Sequence, residues 1–548
     1  MFAFYLVLGS ILMWRLVPVW FEAMPGTAVD HDVVSFVWNL WWTRHALVDL
    51  HQSPLVTNAV FAPFTLDLRL HTFSLLHGLV SVPLQPLMGV VGAFNGLTLV
   101  TIAANGWAVW RLTGRWLGAH AGRSGPVLAG AYAALAPAAL FHLRVGRPSF
   151  GSIWVVALAA LAWEGVAVRR RPADAVALGA CLILAAGLDM QMVLFSATWV
   201  AVMALVRWRE TVELLRTRAG LTCMALAAFV GAPTALLYAP AFVSSAAHGY
   251  ALPSDADTLG YSLRYWDFAS PTVVSTSLGL VVTASALLGC LVAAKQGWLH
   301  GPLAWSATVS LACLVLMLGV ALQPTSLPLP FAFLRGLPGL AHFRTPYRFG
   351  VPAVVGSSVA AGIAFGRLSA GWSHGRAWAL TSVAIGLALV EALWAQPFLA
   401  QRYEADPVYE RVRQTPGDFV VVDVPLGVRS GIDEFGRGET LQYFHTLHGK
   451  RGVNGMVARV PAAVFDYYRS SAAFRFLACD ASVPVPSDGA LVDDVVARFR
   501  ELGVGYVLVH TDRLSSSEVE RVVSVLDRVP GLRAEVGSDR VRAYRVAP

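Results

Sequence analysis

Residues 71–91, HTFSLLHGLVSVPLQPLMGVV, are apolar enough to be taken for a membrane span, and the topology of the whole chain turns on whether they form one. Gly78, Pro83 and Pro86 interrupt the run, and a proline inside a helix removes a backbone bond and clashes with the preceding turn. Around it, apolar stretches of roughly twenty residues recur up to about residue 400, the length that crosses ~30 Å of hydrocarbon. Leaving 71–91 out gives about eleven spans: 2–20, 93–111, 125–142, 150–168, 174–188, 190–207, 219–242, 272–294, 303–322, 349–367 and 377–397. The connections on the N-terminal side then carry 13 basic residues: Arg111, Arg115, Arg123, Arg169, Arg170, Arg171, Arg207, Arg209, Arg216, Arg218, Lys295, Arg367 and Arg376. The opposite side carries eight over a longer stretch: Arg44, Arg69, Arg144, Arg147, Arg264, Arg335, Arg344 and Arg348. The positive-inside bias puts the first set, with the N-terminus, in the cytoplasm. Counting 71–91 as a span would move Arg111, Arg115 and Arg123 outside and invert the loops that follow. The run is therefore read as a helix lying at the outer interface. Loop 21–92 and the chain after residue 401 then lie outside.

Composition agrees with this division. The 548 residues are 56% hydrophobic and only 14% charged, too little charge to wet the surface of a soluble chain of this size. The net charge of +7 hides an asymmetry. Residues 1–401 hold 22 basic and 14 acidic side chains, a net of +8, whereas 402–548 hold 19 and 20, a net of −1. The basic excess belongs to membrane loops, which excludes a nucleic-acid-binding face. Two domains are expected: a transmembrane domain over 1–401, whose outer loop 21–92 carries two interfacial helices, and a soluble extracytoplasmic α/β domain over 402–548. In the latter, FVVVDV (419–424), YVLV (506–509) and 541–546 read as strands, and 493–503 and 516–529 as helices. It contains no Gly-rich phosphate loop, nucleophile elbow or HExxH. His445 and His448 stand three apart in TLQYFHTLHGKRGVNG, but no third metal ligand follows at a recognisable spacing. Cys181, Cys223, Cys290 and Cys313 lie in apolar segments and Cys479 in the soluble part, with no disulfide framework. The first segment, 2–20, lacks a basic start and a small-residue cleavage site, so it reads as a retained helix.

Chemistry is sought where ionisable groups meet the outer face, because such groups at a membrane need a reason. Asp30 and Asp32 follow the first span. Asp30 can cap a helix starting near His31, with Asp32 favoured by the dipole of the first turn. In the helix expected over 32–50, Trp38, Trp41 and Trp42 fall at i, i+3 and i+4, and tryptophans on one face predict a helix lying flat at the headgroups. HFRTPYR (342–348) sets Arg344 and Arg348 four apart around a proline, suited to a phosphate or pyrophosphate, or to lipid headgroups. Asp255, Asp257, Tyr261, Arg264, Tyr265 and Asp267 lie in the long loop 243–271, and Asp189 adds an acid at the same face. Acids and arginines on one face fit group transfer from a lipid-linked phosphate donor. A carboxylate would be the general base on an acceptor hydroxyl, and an arginine would stabilise the departing phosphate. A transporter would place its ion site near mid-membrane, whereas here Glu164 and Glu391 lie near span ends.

The order of elements resembles the GT-C superfamily of membrane glycosyltransferases. The residues that carry the resemblance are Asp30-His31-Asp32 after the first span, the interfacial helix at 71–89, and the span 95–115 ending in WRLTGRWLG. The superfamily often has an acidic pair such as Asp-Glu where this chain has Asp-His-Asp. It often has His-Pro-Pro where this chain has His71-Thr72-Phe73. HFRTPYR and HGKRGVNG also look like segments of uncharacterised large bacterial members, including ones linked to glycosylation of cell-envelope polymers. The resemblance implies a helical polytopic membrane protein with an extracytoplasmic domain, a polyprenyl-phosphate sugar donor, and a cell-envelope glycan, lipid or protein as acceptor. It implies Asp30, or second Asp32, as catalytic base. Arg344 and Arg348 are the expected ligands of the donor phosphate. Asp67, His71, Asp189, Asp257 and Tyr261 are candidate sugar or acceptor contacts. No cofactor is demanded, although outer carboxylates can hold a divalent metal together with a phosphate. The rival readings are a non-catalytic scaffold that binds a lipid-linked glycan or a partner protein, and a transporter or flippase.

Overall fold

The computed structural model describes residues 1–27, 30–118, 122–247, 249–337, 339–484 and 489–547. Each of the eleven intervals read as spans holds a helix. Five helical stretches are long and apolar enough to cross a membrane alone: Gln85–Leu117, Ser124–Arg144, Arg218–Phe242, Pro346–Gly371 and His374–Ala395. Met190–Val206 and Trp208–Arg216 form a pair bent by 94°, and Pro271–Ser277 and Leu280–Lys295 a pair bent by 101°. Phe2–Leu12, Pro172–Leu188 and Pro302–Met317 are shorter apolar helices. Ser124–Arg144 and Pro346–Gly371 run through the centre of the bundle, whereas Arg218–Phe242 and His374–Ala395 lie at its rim. The rim helices expose Phe229, Leu236, Val390 and Trp394, an apolar surface suited to lipid and not to water. The chain is a multi-pass membrane protein.

Small residues let the spans approach closely, the usual packing device where lipid removes any hydrophobic drive between helices. Tyr5 is fully buried between Gly106 and Gly130. A Cβ at Gly106 would meet the Tyr5 ring at 2.6 Å, and one at Gly130 would meet the hydroxyl at 2.1 Å. The acids near span ends are committed to structure. Glu164 pairs with the buried Arg207. Glu391 accepts from Ser275 Oγ (2.6 Å), Leu280 N (2.5 Å) and Val281 N (3.0 Å), satisfying backbone donors at the 101° break.

Residues 71–91 make no continuous rod. A short helix, Leu75–Ser81, ends before a second begins at Gln85, and that one is broken at Gly89, where φ is +69°. Leu79, Val80 and Leu87 are exposed along these pieces.

The helix Asp32–Arg44, hereafter the loop helix, corrects one expectation. Its tryptophans do share a face, but every residue from Val33 to Thr43 is buried. Trp38 and Trp42 pack with Phe61 and with Val422 and Val424 of the C-terminal region, and Trp42 Nε1 donates to the Pro54 carbonyl at 3.0 Å. Spacing alone cannot tell a face covered by headgroups from one covered by another layer of protein.

The C-terminal region is an α/β sandwich, as its alternation of strands and helices predicts. Its five-stranded sheet runs Arg451–Gly452, Val420–Val424, Val504–His510, Val541–Val546, Leu532–Glu535. The first three strands are parallel and the last two antiparallel to their neighbours. A second sheet of Gly455–Met456, Gly427–Arg429 and Glu434–Gly436 consists of strands too short for any sequence period to reveal. Residues 21–92 and this region are stitched together. Ala23–Pro25 pairs antiparallel with Ala400–Arg402, and Phe61 N donates to Val453 O at 3.0 Å. Gly452 N returns a bond to Ala59 O at 2.9 Å. The loop therefore shares an apolar core with the domain beyond residue 402.

Candidate functional site

Asp30 and Asp32 sit at the start of the loop helix but are held in different ways. Asp32 occupies the first turn, where the helix dipole favours a carboxylate. Arg147 Nε donates to Asp32 Oδ2 at 2.7 Å, and Nη2 reaches the same oxygen. Arg147 comes from the loop after Pro137–Arg144. Gly146, at φ +79°, lets that loop close on the loop helix, because a Cβ there would fall 2.4 Å from Val33 Cβ. Asp30 turns back instead. Thr27 N and Thr27 Oγ1 both donate to Asp30 Oδ2 at 2.7 Å. The N-cap position belongs to His31, which makes no side-chain cap bond, so capping does not account for Asp30. Arg144 and Arg147 both lie in its electrostatic reach.

Arg344 and Arg348 come together with a third arginine from the C-terminal domain. Arg348 lies 4.1 Å over the Phe150 ring, and its Nη1 donates to Gln191 Oε1 at 2.9 Å. Arg344 lies 4.9 Å over the Tyr261 ring, which stacks on Tyr347 at 6.3 Å. Arg459 Nη2 donates to the His342 carbonyl at 2.8 Å, anchoring the C-terminal domain to HFRTPYR. A Cβ at Gly431 would lie 2.6 Å from Arg459 Nη1 and 3.8 Å from Arg344 Nη2, so both guanidiniums flank one point. Burial first, then Arg344 and Arg348, push the Arg459 guanidinium down to about 10. The Nε atoms of Arg348 and Arg459 are buried without an acceptor among the described residues. Asp189 faces these arginines from between two helices, accepting from Gln191 N at 2.8 Å. Burial pushes its carboxyl up to about 6 against the opposing pull of that bond, Arg348 and Arg459. The arginine cluster thus faces an acid that is itself reluctant to ionise.

Tyr347 links the two groups, standing in the field of Arg348, Arg147 and Asp32. His142 lies in the fields of both Arg348 and Arg147. Other candidates go elsewhere. Asp67 is committed to Arg69, whose Nε donates to both carboxylate oxygens at 3.0 Å, and it caps the turn Leu68–Leu70. Asp257 closes a capping box with Ser254 on an exposed short helix, with Arg344 only a weak influence. His71 is buried as a clamp. Its Nδ1 accepts from Ala458 N at 2.9 Å, so the proton sits on Nε2, directed at Asn39 Oδ1 at 3.2 Å. Burial pushes its imidazole down to about 3, so it stays neutral. Asp67 and His71 therefore hold the loop instead of facing the arginines.

Sequence reading missed Arg459, Glu439 and the role of Arg147. Glu439 pairs with His31 at 2.8 Å and with Arg429 at 3.2 Å, docking the C-terminal domain beside Asp30 and Asp32. Arg459 stands five residues from Asn454 of HGKRGVNG, but no spacing ties it to residues 344–348 more than a hundred positions earlier.

The chain has the fold of solved GT-C membrane glycosyltransferases. It is similar to the mycobacterial arabinofuranosyltransferase AftD, with a TM-score of 0.60 and 16% identity over 100% of this chain and 40% of AftD. It is also similar to ArnT from Cupriavidus metallidurans, solved bound to undecaprenyl phosphate, with a TM-score of 0.53 and 12% identity over 100% of this chain and 98% of ArnT. The chain thus spans less than half the length of AftD. No family model matches the sequence, and no curated protein matches it.

Proposed function

We propose that this protein is an integral-membrane glycosyltransferase that moves a sugar from a polyprenyl-phosphate carrier to a cell-envelope acceptor at the outer face. The observation that carries the reading is the gathering of Arg344, Arg348 and Arg459 from two halves of the chain, with the buried Nε donors of Arg348 and Arg459 lacking acceptors among the described residues. Guanidiniums crowded against one another call for an anion, and a carrier phosphate supplies one. The undecaprenyl phosphate in the ArnT structure supports a lipid phosphate as that anion. In this reading the chain crosses the inner membrane about eleven times, with the N-terminus cytoplasmic and the C-terminal domain outside.

Asp30 serves as the base. Asp32 is charge-matched by Arg147 and is better suited to orienting that arginine. Asp30 takes the proton of an acceptor hydroxyl as its oxygen bonds to the anomeric carbon. The bond from that carbon to the phosphate oxygen breaks, and the electron pair leaves with the phosphate, where the arginines stabilise it. Tyr261 and Asp189, which adjoin the arginines, border the sugar or acceptor side. The test is transfer from a synthetic polyprenyl-phosphate sugar by purified protein. Asp30→Asn should lower turnover by about 10²–10⁴-fold with donor KM little changed. Wild-type rates in both Asp30→Asn and Asp32→Asn would reject the assignment of the base.

A further inference from the structure

We propose that Asp423, His445 and His448 hold a divalent transition-metal ion of the zinc class in the core of the C-terminal domain. This site is separate from the arginine cluster and does not depend on the reading of that cluster. Asp423 lies in the apolar strand Val420–Val424, opposite Leu508, and is fully buried. His445 and His448 project from the same face of the helix Gln442–His448 and are equally inaccessible. One ligating atom from each of the three lies within 4.8 Å of the others.

The hydrogen bonding leaves these atoms in need of a partner. His510 Nε2 donates to Asp423 Oδ1 at 2.7 Å, while Asp423 Oδ2 has no bond. Among the described residues, neither ring nitrogen of His445 has a hydrogen-bond partner, nor does His448 Nε2. Buried polar atoms are nearly always paired, so several orphans facing one another need an explanation. His445 Nε2 stands 3.6 Å from Asp423 Oδ2, too long for a hydrogen bond. It is near the roughly 3.4 Å that separates two ligands of one tetrahedral ion. Gly452 makes room for this ring, because a Cβ there would fall 2.4 Å from His445 Nε2. Two imidazoles and one carboxylate suit a borderline transition ion and not calcium or magnesium, which prefer all-oxygen shells. His510 fixes the ligating carboxylate from behind, as outer-shell partners of metal ligands do.

One bond must give way. His448 Nδ1 accepts from Lys450 N at 3.0 Å, so ligation through Nε2 moves the ring proton to Nδ1 and releases that amide. The bound ion would lock the helix Gln442–His448, which continues from the turn Glu439–Leu441, against the sheet. It would thereby set the surface that docks beside Asp30 and Asp32.

The test is elemental analysis and X-ray absorption on full-length protein purified in detergent without chelators. About one equivalent of a zinc-class metal is expected, with a nitrogen/oxygen shell containing two imidazoles. His448→Ala should lower the content about tenfold or more, while Arg459→Met leaves it unchanged. If a variant fails to fold, the wild-type spectrum decides alone. A metal-free wild type that takes up no Co²⁺, a sulfur-containing or all-oxygen shell, or undiminished metal in folded His448→Ala would each overturn the site.

Discussion

Two places in this molecule leave charge unbalanced, in opposite senses. Between the membrane bundle and the C-terminal domain, Arg344, Arg348 and Arg459 press together with donors to spare. Inside the C-terminal domain, Asp423 Oδ2, both ring nitrogens of His445 and Nε2 of His448 face one another without hydrogen-bond partners among the described residues. The first wants an anion and the second a cation. They also differ in access. Arg344, Arg348 and Arg459 are only partly buried, whereas the other three are sealed. A partly open cluster can exchange its counter-ion, as an enzyme must with a substrate. A sealed cluster keeps its ion as part of the fold. The cost of such unpaired groups is tolerated where function or a resident ion repays it.

The largest effect that would break this comparison is at Arg459. Arg459→Met removes charged hydrogen bonds worth about 1.5–3 kcal/mol to a bound anion, so donor KM should rise roughly 10–100-fold. The unfolding midpoint of the free protein should change little, because relief of the crowding by Arg344 and Arg348 offsets the lost bond to the His342 carbonyl. A lower midpoint with unchanged KM would mean that Arg459 is only structural.

A smaller effect sharpens the distinction between the sites. His71 bonds Ala458, the neighbour of Arg459. His71→Ala leaves that half-buried amide unpaired, costing about 1 kcal/mol of stability. Donor KM should rise with it while metal content stays constant. Parallel loss of both would show that the two sites stand or fall together.

The smallest effect concerns docking beside Asp30. The bond to Glu439 raises the His31 pKa, and this contribution is complete below about 6.5 and fades as pH rises through the raised value. Glu439 is lowered by His31 against its own burial, and its contribution is lost as pH falls through a value under about 4.5. The pair therefore acts in full between about pH 4.5 and 6.5. Because His31 is partly exposed, His31→Gln should cost about 0.5 kcal/mol at pH 6 and almost nothing at pH 9, read from unfolding midpoints. An equal cost at both pH values would show that packing, not charge, carries this contact.

Much of the fold was legible. Apolar length marked intervals that each hold a helix, and the prolines at 83 and 86 foretold that 71–91 is no single rod. The strand Val541–Val546 falls where alternation put it. The tryptophan face of the loop helix was also legible, but its cover was not, because a period reports a face and not what lies on it.

By itself, the sequence determined a membrane-spanning class, a polar C-terminal domain, and the local pairs: Asp30 with Asp32, Arg344 with Arg348, His445 with His448. These follow from composition and helical spacing, which are properties of neighbours in the chain. Only the tertiary structure decided which partners complete each pair. Arg147 reaches Asp32 from 115 residues away, Arg459 joins Arg344 across the domain junction, and Asp423 meets the two histidines from a neighbouring strand. Charges at such separations are brought together by the packing of apolar faces, and no short-range pattern encodes where that packing ends.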